Sequence, residues 1–273
     1  MTARDRRDLA TARRIVVKVG SSSISGENAD QIGPLVEALA AAHARGCEVV
    51  LVSSGAIATG MPFLSLDERP TDLATQQAAA AVGQNVLIYR YQAALREFHI
   101  VAGQVLLTAG DLENHTHRSN AQRAMERLLG LRILPIVNEN DTVATHEIRF
   151  GDNDRLAAMV AQLVRADALV LLSDVPALYT APPGTPGAEV IDTIEYGTPL
   201  DRFQFGSTKV NGVGTGGAAT KASAARLAAA SGTGVLVTRA DLVADALGGA
   251  AVGTWFAPNP APVAPVMAHA SVD

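Results

Sequence analysis

The chain has 273 residues, 48% hydrophobic and 18% charged, with a formal net charge of -5. That length and apolar content suit one large α/β domain or two small ones, and they exclude an intrinsically disordered chain. The acidic balance excludes a broad nucleic-acid footprint, which needs a clustered basic surface, and no segment approaches the roughly 20 apolar residues of a membrane span. The single cysteine, Cys47, cannot form an intrachain disulfide. With a basic N-terminus that lacks a long apolar core, this predicts a cytoplasmic protein without a signal peptide.

Residues 1–13 form an N-terminal arm, and the first strand is read at Arg14-Ile15-Val16-Val17-Lys18-Val19, a β-branched run broken only by Lys18. It ends in Gly20-Ser21-Ser22-Ser23. An Ala- and Leu-rich helix follows at about 29–45, then a strand at Val49–Val52 that runs into Ser53-Ser54-Gly55-Ala56. Strands that end in small-residue turns and lead into helices are the βα pattern of a parallel sheet. A long helix is expected at about 71–97, with Tyr89 and Tyr91 as packing or interface residues. A strand follows at about 100–107 and an amphipathic helix at about 120–129. His115 and His117 read as solvated residues of a polar loop before that helix.

The next strand, Ile133 to Val137, runs into Asn138-Glu139-Asn140-Asp141. A second polar cluster, Asp152-Asn153-Asp154, opens a helix that reaches about Arg165. Asp and Asn are ordinary turn and cap residues, so either cluster alone says little. Two of them at neighbouring element ends point to one crevice at the carboxyl edge of the sheet, where open α/β folds place ligands. Ala168–Leu172 makes a further buried strand, ending in Ser173-Asp174. The proline-rich segment 175–211, with strand-like pieces at 177–180 and 189–194, reads as hairpins and loops over the site. An Ala-rich helix from 218 to 230 and a strand at 235–238 complete the pattern. The Ala- and Pro-rich tail, 257–273, is expected to be disordered.

Glycine-rich turns at helix starts bind phosphate because bare backbone N–H groups and the helix dipole point at the anion. Three occur here, around Gly20, around Gly55 and at Gly214-Thr215-Gly216-Gly217. Lys221 lies one turn into the helix after the third. Lys18 breaks an apolar strand near its carboxyl end, a costly place for an ammonium unless it is paired or used. Gly212-x-Gly214-x-x-Gly217 matches a dinucleotide fingerprint literally, but no buried strand precedes it, and the Lys of a phosphate-binding P-loop is absent after Gly217.

These motifs together resemble the amino acid kinase superfamily and, within it, the glutamate 5-kinases. The carriers span Arg14 to Phe256: VVKVGSS, LVSSGAIATG, IVNENDTVA, IRFGDND, LLSDVPALYT and GVGTGGAATKASAA. The resemblance implies a kinase domain over 14–256, built as a three-layer αβα sandwich with a mainly parallel central sheet. It implies ATP-dependent phosphorylation of the side-chain carboxylate of L-glutamate, the first step of proline synthesis. By that similarity Ser54, Asp141 and Asn153 bind glutamate, while Lys18, Ser173, Asp174 and the run Thr215, Gly216, Gly217, Ala218, Ala219, Thr220 and Lys221 contact ATP. L-proline is implied as a feedback inhibitor and a homo-oligomer, dimer or tetramer, as the assembly. The sequence departs from the group at Ala177, where Gly is usual, and at Ala218, where Met is usual. Members commonly carry a C-terminal RNA-modification-type module, for which this chain leaves no length.

A carboxylate nucleophile is ionised at neutral pH and needs no general base. The expectation is that Lys18 and Lys221 hold the phosphoryl group from opposite sides, with Asp154 orienting both by ion pairing. Backbone N–H groups of Gly20 and Gly55 complete the cradle, and Mg²⁺ bridges the nucleotide oxygens rather than sitting on a protein ligand set. Two other readings of the same fold are a kinase for N-acetylglutamate or aspartate and a non-catalytic sensor. A sensor would be expected to lose a paired lysine or Asp154, and all three are present.

Overall fold

The structure is a computed structural model that describes residues 2–24, 26–143, 153–203, 205 and 217–262. Strand β1 (Arg14–Lys18) pairs in parallel with β2 (Glu48–Val52) on one side and with β5 (Ala168–Ser173) on the other. Beyond β2 lie β4 (Leu134–Glu139) and the edge strand β3 (Ala102–Leu107). Beyond β5 lie β7 (Gly234–Arg239), β8 (Thr254–Phe256) and β6 (Thr193–Ile194). Every pairing is parallel except that of β7 with β8.

Alternating side chains send each strand's apolar residues to both faces. Ile15, Val17, Val49 and Leu51 pack beneath α1 (Ile32–Ala44), α3 (Leu73–Arg96) and α8 (Val243–Leu247). Val16, Val50, Val52, Leu169 and Leu171 pack beneath α5 (His115–Gly130), α6 (Asn153–Leu163) and α7 (Ala218–Ala230). The result is the three-layer αβα sandwich that the βα pattern and the resemblance implied. Lys18 has the parity of Val16, so it faces the layer that holds α6 and α7.

Two short helices fall between the long ones. They are α2 (Ala56–Gly60) and α4 (Ala109–Glu113). Helix α2 lies against α3 with no room for side chains: a Cβ on Gly83 would collide with the carbonyl oxygen of Ala56, and one on Gly60 with that of Ala79.

Several local expectations change. His115 and His117 stand in the first turn of α5, not in a loop, because Asn114 caps that helix by accepting from His117 N at 3.1 Å. The His117 ring sits 2.9 Å from the Asp111 carboxylate. Among the described residues of the segment after β5, Tyr179 and Val190 make a single antiparallel bridge, and only Thr193–Ile194 joins the sheet. The short strand β8 was not anticipated. The N-terminal arm is integrated into the fold: residues Arg6–Thr11 form a 3₁₀ helix with Leu9 in the core. The start of the expected tail is also tied down, with Ala257 N donating to Ile194 O at 3.0 Å and Asn259 N to Ala229 O at 2.8 Å. Its remainder, 263–273, lies outside the described residues. Cys47 is buried, which pushes its thiol up to about 11, as a packing residue rather than a nucleophile. Among the described residues no helix is long and apolar enough to cross a membrane.

Candidate active site

The carboxyl ends of β1, β2, β4 and β5 converge on one crevice, and its centre is a buried ion triad. Lys18 Nζ, from the end of β1, lies 2.6 Å from Asp154 Oδ1. Lys221 Nζ, from the first turns of α7, lies 3.1 Å from Asp154 Oδ2. Asp154, in the first turn of α6, is 0% exposed and each lysine 5%. Burial alone would raise the Asp154 carboxyl, but the Lys18 and Lys221 ammoniums beside it more than offset that and hold it below the usual carboxylate range. Among the described residues, two ammoniums thus stand against one carboxylate in a site shielded from water.

Two loops frame the triad. After β1 the chain turns at Gly20, where a Cβ would stand 3.7 Å from Lys18 Nζ, so bare backbone is what faces the ammonium. After β2 it turns at Gly55, whose φ of 95° lies in the left-handed region that glycine adopts without strain. A Cβ there would press on Ser21 at 3.3 Å, so the two loops touch. Ser54 Oγ donates to Val19 O at 3.0 Å, so the hydroxyl's remaining hydrogen-bonding capacity is as an acceptor. Ser53 Oγ meets the buried Tyr91 hydroxyl at 3.0 Å, pinning the end of β2 to α3.

On the β4 side, Asn138 and Asn153 form a buried amide pair. Asn138 Oδ1 accepts from Glu139 N at 2.9 Å and from Asn153 Nδ2 at 3.3 Å, and Asn138 Nδ2 donates to Gln84 Oε1 at 2.6 Å. Asn153 Oδ1 is left buried and without a hydrogen-bond partner among the described residues. Beside this pair opens a cavity of about 230 Å³, with Gln84 and Asn85 of α3, Leu106 of β3, and Glu139 to Thr142 on its walls. Asp141, half-buried here, is pushed up to about 6 by burial, with Arg69 pulling the other way.

On the β5 side, Ser173 and Asp174 line a small cavity with Ala177, Tyr179 and Ala218. Asp174 Oδ1 accepts from Ser22 Oγ at 2.9 Å, which ties the loop after β1 to the loop after β5. Gly217 precedes α7, and Thr220 Oγ1 donates to its carbonyl at 2.8 Å. The expectations for Thr215 and Gly216 fall outside the described residues.

The structure thus brings Lys18, Gly20, Ser54, Gly55, Asn153, Asp154 and Lys221 to the crevice, with Asp141 on one flank and Ser173, Asp174 and Ala218 on the other. Sequence reasoning passed over Gln84 and gave Ser22 no part beyond its small-residue turn, while Tyr91, read as a packing or interface residue, is indeed buried. The segment containing Gln84 reads as helix, yet nothing in it signals that a glutamine there reaches Asn138, 54 positions away.

Comparisons with known proteins fit this geometry. The model of the family described as "Amino acid kinase family" matches residues 13–239. A curated relative from Clavibacter sepedonicus named "Glutamate 5-kinase" is 72% identical over 95% of this chain and 100% of its own length. One of the same name from Salinispora arenicola is 54% identical over 94% of this chain and 70% of its own. Among solved structures, carbamate kinase from Giardia lamblia bound to AMP-PNP superposes with a TM-score of 0.65 at 15% identity, covering 92% of this chain and 100% of that one. UMP kinase from Bacillus anthracis gives 0.61 at 13% identity, covering 91% and 97%.

Proposed function

This chain belongs to the amino acid kinase family, and from that premise we infer that it transfers the γ-phosphoryl group of ATP to the side-chain carboxylate of L-glutamate. The product is L-glutamyl 5-phosphate, and the step opens proline synthesis. The observation that carries the chemistry is the buried Lys18–Asp154–Lys221 triad.

Glutamate's own carboxylate is the nucleophile and is ionised at neutral pH. One of its oxygens forms the new bond to phosphorus as the bond from phosphorus to the bridging oxygen breaks, and ADP departs with the electron pair. No proton moves. The obstacle is the approach of two anions, so catalysis is a matter of placement and charge. Asp154 spends both carboxylate oxygens on the two ammoniums and so fixes them from different elements around one point. With both Asp154 oxygens turned to the ammoniums, Mg²⁺ would be held by the nucleotide's own phosphate oxygens and water, which that ion favours over an all-protein cage. When bound, Mg²⁺ supplies further neutralisation of phosphate charge.

Ser173, Asp174, the run Thr215 to Lys221, and the loop at Gly20 form the nucleotide side in this reading. Ser54, Gly55, Asp141 and Asn153 form the amino acid side, with Asp141 and the unpartnered Asn153 Oδ1 meeting the α-ammonium. L-proline, which shares that ammonium, is proposed to compete there, and loss of glutamate turnover with added proline tests it. A helix-mediated homo-oligomer is supported by the exposed face of α3, where Tyr89 is 68% accessible, and light scattering would read it.

The deciding experiment traps the acyl phosphate with hydroxylamine in the presence of ATP and Mg²⁺. L-glutamate, N-acetyl-L-glutamate and L-aspartate are compared as acceptors. Hydroxamate from glutamate alone is expected. Product from either other acid in place of glutamate would overturn the assignment.

A further inference from the structure

The amide chain behind the crevice is directional, and its direction reaches the cavity. A backbone N–H can only donate, so the bond from Glu139 N fixes Asn138 with its oxygen towards Glu139 and its amino group towards α3. The amino group must then meet an oxygen, and Gln84 Oε1 supplies it at 2.6 Å. The oxygen of Asn138 also receives Asn153 Nδ2, which leaves Asn153 Oδ1 buried and unpartnered among the described residues. With Oε1 engaged by Asn138, what Gln84 has left for the cavity it lines is its Nε2 amino group. The lining of that cavity therefore offers an acceptor, the Asp141 carboxylate, while Gln84 offers donors.

We propose that Gln84 is a further substrate-binding residue, which holds Asn138 through Oε1 and gives its Nε2 hydrogens to the α-carboxylate of the acceptor amino acid. An α-amino acid carries an ammonium and a carboxylate on one carbon, and acceptors beside donors are the complement of that pair. Selection of an α-amino acid over an ω-amino acid follows from this. The inference rests on reading the crevice as a glutamate kinase site.

The test uses Gln84→Glu and Gln84→Ala with hydroxamate formation as readout. 4-Aminobutyrate, which is glutamate without its α-carboxylate, serves as a competitive ligand. Gln84→Glu still accepts from Asn138, yet sets a carboxylate against the substrate's. Its KM for glutamate should rise about 10- to 100-fold, with kcat and the KM for ATP held. The ratio of glutamate KM to 4-aminobutyrate inhibition constant should rise by a similar factor. Gln84→Ala should raise that ratio too. A Gln84→Glu enzyme with wild-type KM, or with both ligands weakened equally, overturns the proposal, since a role confined to holding Asn138 predicts those results. A wild-type protein that makes no glutamyl hydroxamate would instead sink the broader reading of the site.

Discussion

Asp154 lies buried between two ammoniums, whereas Asp141 is half-buried and raised by desolvation, so their protons bind at opposite ends of the acid range. The triad carboxylate, depressed, stays ionised until the pH falls well below the usual carboxylate range. Asp141, raised to about 6, becomes protonated as the pH falls through that value and then cannot attract the substrate ammonium. The kcat/KM for glutamate is therefore expected to fall below about pH 6 while kcat at saturation holds across the same window. Asp141→Asn should flatten that limb at a uniformly high KM, and a pH series on both proteins checks it. For Lys221→Ala the loss belongs to turnover, on the order of 10²- to 10³-fold, with the chain still folded. Near-normal turnover in a folded variant would remove that lysine from the mechanism. Lys18 was legible in the sequence because charge is costly in an apolar strand, Asp154 because a polar cluster opens its helix, and Lys221 because it follows a glycine-rich turn at a helix start. The Gln84–Asn138 link was not, since polar residues on a half-buried helix are ordinary and only the fold shows which partner they meet.

At the scale of elements, the close contact between α2 and α3 lies beside the proposed amino acid side. Ala56 follows Gly55 directly, and Gly83 is the residue before Gln84, so backbone touches backbone between the loop after β2 and the cavity wall. Gly83→Ala must push the helices apart. A loss of about 1–3 kcal/mol is expected by denaturant unfolding, with a raised KM for glutamate and an unaltered KM for ATP. Unchanged stability would mean that the pair separates at no cost. The strands β1, β2, β4, β5 and β7 and the helices α3 and α7 could be read from β-branched runs, small-residue turns and Ala-rich stretches. Strand β8 is three residues long, too short to carry an alternation, and β6 becomes a strand only through its pairing with β8. The helical start of α5 turns on Asn114 as a cap, a signal present in the sequence but masked by the polar run around it.

Across the whole molecule, the N-terminal arm closes the fold at the edge furthest from α3. The 8%-exposed Arg6 side chain donates to the carbonyls of Asp192 at 2.6 Å, Gly253 at 3.1 Å and Val252 at 3.2 Å, joining β6 to β8. Arg6→Ala takes the side-chain donor from those carbonyls, with Asp192 O keeping Trp255 N, and should cost about 1–3 kcal/mol, read by thermal or denaturant unfolding. A stability unchanged by that substitution would show the arm to be dispensable. Contacts spanning 186 to 247 residues of sequence are beyond any local pattern, which is why the arm reads as a mere extension when the chain is taken alone. The sheet order β3-β4-β2-β1-β5-β7-β8-β6 places β1 at a watershed, with successive strands leaving it in both directions. In the proposed reading the acceptor's residues descend one slope and the nucleotide's the other, and Asp154 bridges them through α6. Such a layout behaves like a tool with a fixed power supply and an exchangeable bit. Grafting another acid's binding strands onto the β2–β4–β3 slope would retarget the phosphoryl group without rewiring its source, and the seam for that graft runs along β1.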